Sequence, residues 1–263
     1  MNRIKLNPLA VATELDQHLP SVDPSDALHL LKEDIAEVSN FESNFSSLGS
    51  EYSFFVPMHY VKTYQYPLIV WLHDDGDNCD QLHRIMPWVS LQNYVGVAPQ
   101  ALDGDSNLGF YWEQTHDGID HACQAVKSAI DRASLRANVA SDRIFIGGTG
   151  SAGTMAFRVA FQHPELFRGV VSINGGLPNG MTPFARLGQS RLVDVFWSQC
   201  RDSKEFSTDQ LCHQLRTLHA AGFSSTIRQY PCGDRHIEEQ DSRFSPLSDL
   251  NHWIMDHIET AVK

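Results

Sequence analysis

The sequence lacks an apolar run long enough to cross a membrane. A membrane-spanning helix needs about 20 consecutive apolar residues, and no stretch of the 263 residues approaches that length. The N-terminal region has one short apolar run, residues 8–12, and Thr13 and Glu14 end it before it reaches the length of a signal-peptide core. The sequence therefore predicts a cytoplasmic protein with no membrane partner.

Positive charge is also scarce. The chain has 20 lysines and arginines against 32 aspartates and glutamates, which gives a formal net charge of -12. Nucleic-acid backbones and anionic membranes repel such a chain. With 42% hydrophobic residues, the chain has enough apolar side chains for the core of one large domain. The composition thus indicates a compact, enzyme-sized protein with no nucleic-acid partner.

The cysteines lack any paired spacing. There are five of them, an odd number, spread over the chain without a C-x-x-C motif. A disulfide framework or a structural zinc site requires cysteines at recognisable spacings. We therefore expect reduced thiols, and neither a structural metal nor a cofactor.

Two clusters of acidic residues have a metal-binding alternative. His116, Asp117, Asp120 and His121 have spacings that suit a metal site on a helix, but carboxylates at a helix start are also favoured by the positive end of the helix dipole. Residues 74–80 offer several oxygen ligands for calcium, but not in the order of an EF-hand loop. We favour a helix start and a solvated loop, so no metal site is assigned.

From residue 51 onward, short β-rich runs alternate with helical patterns. The predicted strands are 52–56, 68–73, 94–98, 143–147, 169–173, 193–198 and 226–230, and the predicted helices are 117–137, 152–163, 208–221 and 246–262. Runs such as Leu68–Leu72 and Gly169–Ile173 are almost continuously apolar, as expected for strands covered on both faces. This alternation predicts an α/β protein with a doubly wound, mostly parallel sheet, helices on both faces, and a site at the carboxyl ends of the strands.

The chain before this domain has a different pattern. Residues 23–26 favour a helix start, and apolar residues then recur at helical spacing up to Val38, which predicts a helix over 24–39. Residues 40–50 are rich in serine and asparagine and indicate a linker. We therefore divide the chain into an N-terminal helical extension, residues 1–45, and a main domain, residues 46–263. The extension either covers its own domain or contributes to a homo-oligomer.

Residues 142–160 have the pattern of a strand, a tight turn of small residues and a helix, which is how α/β-hydrolases present their nucleophile. Laid without gaps on Gly-x-Ser-x-Gly, the turn GTGSA at 148–152 has Gly150 at the serine position and Ala152 at the last glycine. Glycine has no side-chain oxygen. It therefore cannot attack an ester.

Together with this turn, several other segments make the chain from about residue 51 onward resemble the α/β-hydrolase superfamily. The resemblance is in particular to phospholipases/carboxylesterases and polyhydroxybutyrate-depolymerase-like esterases. The resemblance rests on YPLIVWLHDDG at 66–76, VAPQ at 97–100, residues 143–176 and YPCG at 230–233. It implies an α/β-hydrolase fold. It also implies a site with a serine nucleophile, a histidine, a carboxylate that orients the histidine, and two backbone N–H groups for the oxyanion.

The resemblance further implies positions for the catalytic acid and base. The acid usually follows the strand after the nucleophile region, where this chain has Asp202. The histidine should lie between the last strand and the last helix, where His236 follows Gly233 with two residues between them. The simpler alternatives are a turn or cap aspartate and a solvated loop histidine.

The first oxyanion donor of such enzymes comes from a His-Gly-x-Gly turn after an early strand. Here the turn is HDDG at 73–76, so Asp74 replaces a glycine and Asp75 follows it. A carboxylate about 5 Å from a developing oxyanion costs on the order of 3 kcal/mol, which slows acyl transfer roughly a hundredfold. Near the expected mouth of the site, Trp112 and its aromatic neighbours either line an acyl pocket or belong to the core.

Ser151 leaves a second interpretation open. A one-residue slide aligns residues 149–153 with the motif and makes Ser151 the nucleophile, whereas the gapless match makes it a helix-start residue with a capping hydroxyl and an oxyanion N–H. We predict a carboxylesterase-like protein with weak or lost serine-hydrolase activity that keeps a small ester or acyl ligand or an assembly role. The alternative is an active esterase that hydrolyses small carboxylic esters with Ser151, His236 and Asp202.

Overall fold

The computed structural model describes residues 52–105, 109–180, 186–201, 208–230 and 246–259. All of these residues belong to one compact unit that begins at Glu51. The predicted N-terminal helix and the division at residue 45 lie outside the described residues. So do two of the candidate catalytic residues, Asp202 and His236.

The described chain alternates strands and helices. The strands are β1 (Tyr52–Phe55), β2 (Tyr66–Leu72), β3 (Val95–Pro99), β4 (Asp103–Asp105), β5 (Gly109–Tyr111), β6 (Val139–Thr149), β7 (Gly169–Ile173), β8 (Asp194–Cys200) and β9 (Ser225–Tyr230). The helices are α1 (Gln81–Val89), α2 (His116–Arg136), α3 (Gly150–Gln162), α4 (Leu187–Ser190), α5 (Thr208–Ala221) and α6 (Pro246–Glu259). The predicted strands and helices of the main domain are all present, with ends shifted by a few residues.

The described residues form a seven-stranded sheet in the order β1-β3-β2-β6-β7-β8-β9. Strand β1 runs antiparallel to β3, and the other neighbouring pairs are parallel. The prediction of a doubly wound, mostly parallel sheet is therefore confirmed. Because parallel strands end at the same edge, the residues that follow β2, β6, β7 and β8 are brought to one side of the sheet.

Helices cover both faces of this sheet. Along β2, Leu68, Val70 and Leu72 belong to the hydrophobic cluster that contains the buried residues of α2, α3 and α5. Ile69 and Trp71, which alternate with them, belong to the cluster that contains the buried residues of α1 and α6. Every residue of β2 is buried, which explains why the strand is a continuous apolar run in the sequence.

Sequence analysis does not predict α1. This helix contains Pro87, which removes a backbone donor and normally disfavours a helix interior. Leu82, Ile85 and Met86 are nevertheless fully buried against the sheet, and this burial outweighs the effect of the proline. The start of α1 matters for the site, because its first residue, Gln81, reaches back to the end of β2.

Strand β6 is longer than predicted, and the short pair β4 and β5 is not predicted at all. The first half of β6 includes the exposed residues Ser141 and Asp142, so only its second half has the apolar pattern of a buried strand. Strands β4 and β5 are three residues each and pair with one another outside the main sheet. Strands this short leave no periodic signal to detect.

The expectation of reduced thiols is wrong at one position. Cys200, the last residue of β8, is disulfide-bonded. Cys79, Cys123 and Cys212 lie outside any disulfide. Burial raises the pKa of the Cys79 thiol to about 12 and that of Cys123 to about 11, so neither is a ready nucleophile. Cys200 was overlooked because the spacing of cysteines in the sequence does not reveal which of them meet at a sheet edge.

Candidate functional site

The turn between β6 and α3 has a left-handed residue at its apex. Gly150 is the first residue of α3 and has φ of +54°, a left-handed conformation that side chains other than glycine rarely adopt. A Cβ atom built on Gly150 would have no atom of the described chain within 4 Å. The position at the apex of the turn is therefore occupied by a residue without a side chain, next to open space.

Small residues on both sides of the apex allow this turn to be tight. A Cβ on Gly148 would lie 3.0 Å from the Cβ of Ala152, so these two positions are in direct contact across the turn. A Cβ on Gly175, in the loop after β7, would lie 2.4 Å from the carbonyl oxygen of Gly150. The turn is therefore tightly packed on both sides of Gly150.

Ser151 is the second residue of α3, one position beyond the apex. Its hydroxyl oxygen is fully buried and has no hydrogen-bond partner within the part of the chain that the structure describes, so the expected capping bond is not made. Its carbonyl oxygen accepts a hydrogen bond from Gln114 Nε2 at 3.2 Å. Its N–H lies in the first turn of the helix, where backbone N–H groups have no partner inside the helix.

The segment HDDG follows β2 at the same edge of the sheet. Strands β2 and β6 are neighbours with Leu72 paired to Gly148, so Asp74 and Gly150 each lie two residues beyond this pair, just after the ends of the two strands. The N–H of Asp74 donates to Gln81 Oε1 at 3.1 Å, and this same oxygen accepts from Trp71 Nε1 at 3.1 Å. The N–H of Asp75 has no acceptor among the described residues.

Asp74 is a buried carboxyl group. Burial raises the pKa of Asp74, the nearby polar side chains of Thr149 and Gln81 oppose this shift, and the charges of Asp77 and Asp75 add to it. One carboxyl oxygen, Oδ1, is fully buried and lacks a hydrogen-bond partner among the described residues. The carboxyl group is thus more easily protonated than an ordinary aspartate.

His73 is fully buried, and both of its ring nitrogens take part in hydrogen bonds. Its Nε2 accepts a hydrogen bond from the N–H of Ala101 at 3.2 Å, and its Nδ1 lies 2.9 Å from the carbonyl oxygen of Asp74, to which it donates. Burial lowers the pKa of His73. The imidazole is therefore neutral, and both of its nitrogen atoms are occupied.

Trp112 lies behind the HDDG turn. Its Nε1 donates to the carbonyl oxygen of His73 at 3.1 Å, its ring centre is 5.2 Å from that of His73, and it is only 6% exposed. Of the two interpretations given by the sequence, core packing describes this residue better than a pocket wall. The hydrogen bond of Trp112 holds the backbone of His73 in place, directly before Asp74.

Gln114 and Arg158, which belong to no recognised motif, form hydrogen bonds that stabilise the turn between β6 and α3. Gln114 Nε2 donates to the carbonyl oxygens of Trp112 at 3.3 Å and of Ser151 at 3.2 Å. Gln114 Oε1 accepts from Arg158 Nε at 2.8 Å, and Arg158 Nη2 donates to the carbonyl oxygen of Asn179 at 3.2 Å. Sequence analysis misses both, because a glutamine outside the turn and an arginine two helical turns into α3 have no recognisable spacing.

Arg158 is a buried cation with neutral partners. It is 8% exposed, and no carboxylate of the described chain pairs with it. Burial lowers the pKa of Arg158. Its hydrogen bonds to Gln114 and Asn179 therefore stabilise a charge that is otherwise unpaired.

The metal alternatives find no support in the described residues. No group of three or more histidine, cysteine, aspartate or glutamate side chains is arranged there to hold a metal ion. His116 and Asp117 begin α2, with Asp117 in its first turn and Thr115 as the capping residue. This is the helix start that the acidic pattern predicts.

No family model matches the sequence. A similar protein is "Putative esterase NocK" of Nocardia uniformis subsp. tsuyamanensis, which is 27% identical over 136 residues. The match covers 49% of this chain and 39% of the relative, so the chain spans about two fifths of the length of that protein.

The architecture described above is the α/β-hydrolase fold, which solved structures of carboxylesterases share. A carboxylesterase of Bacillus cereus has a TM-score of 0.60 at 14% identity, covering 81% of this chain and 96% of the other. SOBER1 of Arabidopsis thaliana has a TM-score of 0.58 at 18% identity, covering 73% and 99%. A phospholipase/carboxylesterase of Dyadobacter fermentans has a TM-score of 0.55 at 15% identity, covering 79% and 97%. These likenesses concern the fold.

Proposed function

We propose that this protein is a carboxylesterase-like member of the α/β-hydrolase fold that has lost most serine-hydrolase activity and binds a small ester or acyl ligand at the turn after β6. The observation that supports this proposal is Gly150. It has the left-handed backbone of a nucleophile residue, at φ of +54°, without a side chain. A hydrogen atom stands where the attacking oxygen of a serine hydrolase begins its reaction.

Ser151 is a poor substitute for the missing nucleophile. It lies one residue beyond the apex, and its hydroxyl oxygen is buried. A nucleophilic hydroxyl has to be accessible to the substrate and within hydrogen-bond distance of a base. The neighbouring His73 has both nitrogen atoms engaged. The role of His236 and Asp202 as base and acid remains a prediction.

The site lacks a nucleophile at position 150 but has backbone groups that can bind a ligand. The N–H groups of Asp75 and Ser151 are hydrogen-bond donors beside Gly150. The positive end of the α3 dipole, at the N-terminus of this helix, also favours a negatively polarised ligand atom. Open α/β sheets bind ligands at the carboxyl ends of their strands, where both groups are found. These features support ligand binding without covalent catalysis.

One labelling experiment tests the loss of activity. We expect a fluorophosphonate probe to leave the wild-type protein unlabelled, and p-nitrophenyl acetate to be hydrolysed no faster by the wild type than by Ser151→Ala. Labelling of the wild type that disappears in Ser151→Ala would reject the proposal and support an active esterase with Ser151, His236 and Asp202.

The complementary variant is Gly150→Ser. We expect this variant to gain fluorophosphonate labelling, because the apex has space for the new side chain and the two N–H groups of the oxyanion site are kept. Labelling restricted to this variant would show that only the nucleophile is missing.

The compartment and the oligomeric state also remain predictions. Within the described residues, none of the helices has the length and apolar content needed to span a bilayer. The disulfide at Cys200 weighs against the cytoplasm, because disulfides persist mainly in oxidising compartments. Sedimentation velocity of the full chain would show whether it is a homo-oligomer.

A further inference from the structure

Three fully buried oxygen atoms around Gly150 have no hydrogen-bond partner among the described residues. They are Asp74 Oδ1, Thr149 Oγ1 and Ser151 Oγ. Buried polar atoms in native proteins are nearly always paired, and each one left unpaired costs free energy. Thr149 and Ser151 flank Gly150 in the chain, and Asp74 lies at the end of the neighbouring strand. Their concentration at one turn is consistent with a polar group bound there.

Gly150 provides the room for this group. A Cβ on Gly150 would meet no described atom within 4 Å, whereas a Cβ on nearby Gly148, Gly153 or Gly175 would meet an atom at 3.0 Å or less. The backbone around the apex is thus tightly packed, and the apex itself faces open space. A ligand atom can approach Gly150 as closely as the oxygen of a serine would lie in an active enzyme.

The groups around this space are mainly hydrogen-bond donors. The N–H groups of Asp75 and Ser151 have no acceptor in the described chain. A protonated carboxyl group at Asp74 adds one more donor. An acceptor-rich group, with two oxygen atoms close together, satisfies this set best.

We propose that the turn binds the carboxyl group of a small monocarboxylic acid, with the N–H groups of Asp75 and Ser151 on one oxygen atom and the carboxyl group of Asp74 sharing a proton with the other. This assignment rests on the proposed loss of the nucleophile, because a serine side chain at position 150 would occupy the same space. No bond is made or broken in this binding. The proton stays between two carboxyl groups, as in other pairs of buried carboxyls.

The surrounding charges limit the ligand to one carboxyl group. Asp75 and Asp77 lie on the same loop as Asp74, and the whole chain has a formal net charge of -12. A second carboxylate on the ligand would therefore be repelled. An ester or amide of the same acid keeps the carbonyl oxygen but cannot share a proton with Asp74.

The shared proton makes binding dependent on pH. The groups that act on the Asp74 carboxyl are the neutral side chains of Thr149 and Gln81 and the acids Asp75 and Asp77, while the His73 imidazole bonds to the backbone carbonyl of Asp74. Asp77 is itself paired with Arg84. Above the pKa of Asp74 the proton is lost, so affinity for a carboxylate should fall by about tenfold per pH unit.

Butyrate, butyramide and 1-butanol are suitable probes, measured by ligand-observed NMR titration of the full chain. We expect butyrate to bind the wild type at pH about 5.5 and to bind at least roughly tenfold more weakly at pH about 8.5. Butyramide should bind weakly at both pH values, and 1-butanol should not bind. Butyramide binding as tightly as butyrate at both pH values would overturn the proposal.

Two variants separate the role of Asp74 from a general effect of charge. Asp74→Asn keeps the shape of the side chain and a hydrogen-bond donor but has no proton to lose, so its butyrate affinity should be independent of pH. Asp142→Asn, whose side chain is 78% exposed on β6, removes the same charge elsewhere and should behave as the wild type. The same pH dependence in Asp74→Asn and the wild type would contradict the assignment, with thermal unfolding used to verify that the variant is folded.

Fluorophosphonate labelling separates this inference from the proposed function. If the wild type is not labelled and does not bind butyrate, the proposed loss of hydrolase activity stands and the assignment of a monocarboxylic acid ligand is rejected. A wild-type protein labelled at Ser151 loses both, because the space at the turn then belongs to a reacting ester.

Discussion

A serine at position 150 would have space but would be strained. The backbone there has φ of +54°, which costs a residue with a Cβ about 1 to 2 kcal/mol relative to glycine. No described atom would contact the new Cβ within 4 Å, so steric overlap adds nothing to this cost. We expect Gly150→Ser to lower the free energy of unfolding in urea by about 1 to 2 kcal/mol.

Gly188 provides the matched control for this substitution. It also has open space around its Cβ position, but its φ lies outside the left-handed region. Gly188→Ser should therefore change the unfolding free energy by less than about 0.5 kcal/mol. Equal effects of the two substitutions would mean that backbone strain at the apex is unimportant.

Asp74 should make stability depend on pH in a specific direction. Burial raises the pKa of Asp74 above the ordinary 3.8, so the folded state holds this proton more tightly than the unfolded state. The wild type therefore loses stability as the pH rises from about 4 through the folded pKa. Asp74→Asn lacks this loss, so its stability relative to the wild type should increase over that range. Parallel urea-unfolding profiles of the two proteins against pH would contradict this expectation.

At the scale of secondary-structure elements, the site is held by residues from outside the two turns. Gln114 precedes α2 and connects the backbone of Ser151 with the guanidinium group of Arg158. Gln114→Ala removes the acceptor for a buried cation, and a buried donor without its partner costs about 1 to 3 kcal/mol. We expect the unfolding free energy to fall by that amount.

An exposed glutamine of α3 is the control for this variant. Gln162 Nε2 donates to Asp120 Oδ1 at 3.4 Å on the surface, where water replaces a lost hydrogen bond. Gln162→Ala should change stability by less than about 0.5 kcal/mol. A loss in Gln114→Ala no larger than in Gln162→Ala would show that Arg158 does not depend on Gln114.

The elements differ in how well their sequences predict them. Buried strands such as β2 and β7 are continuous apolar runs because both of their faces are covered, and this pattern is visible in one sequence. Helix α1 escapes prediction because Pro87 obscures a pattern whose stabilisation comes from packing on the sheet. Local sequence thus predicts an element when its pattern of burial is visible along the chain, and fails when tertiary contacts outweigh a local preference.

The candidate site shows the same limit. The position of Gly150 could be predicted because a turn between a strand and a helix needs small residues at fixed spacing. The contacts of Gln81, Gln114 and Arg158 could not, because they join elements that are far apart in the chain. The buried state of Asp74 also depends on such contacts, since an aspartate after a strand is normally solvated.

At the scale of the whole molecule, the parallel strands bring distant segments to one edge of the sheet. Residues that follow β2, β6 and β7 meet there, and Gly175 after β7 is in contact with Gly150 after β6. Cys200, at the end of β8, is at the same edge, and its N–H donates to Asn174 Oδ1 at 2.7 Å. The disulfide at Cys200 therefore belongs to the side of the fold that contains the candidate site.

The state of the five cysteines can be tested by stepwise alkylation of protein purified without reductant. Native protein should react at Cys212, which is exposed, whereas Cys79 and Cys123 are buried thiols with pKa values raised to about 12 and 11. Denaturation should add these two, and reduction should then add Cys200 and the cysteine bound to it. Mass spectrometry counts the alkyl groups at each step. Alkylation of all five cysteines in denatured, unreduced protein would contradict the disulfide, because only a thiolate reacts.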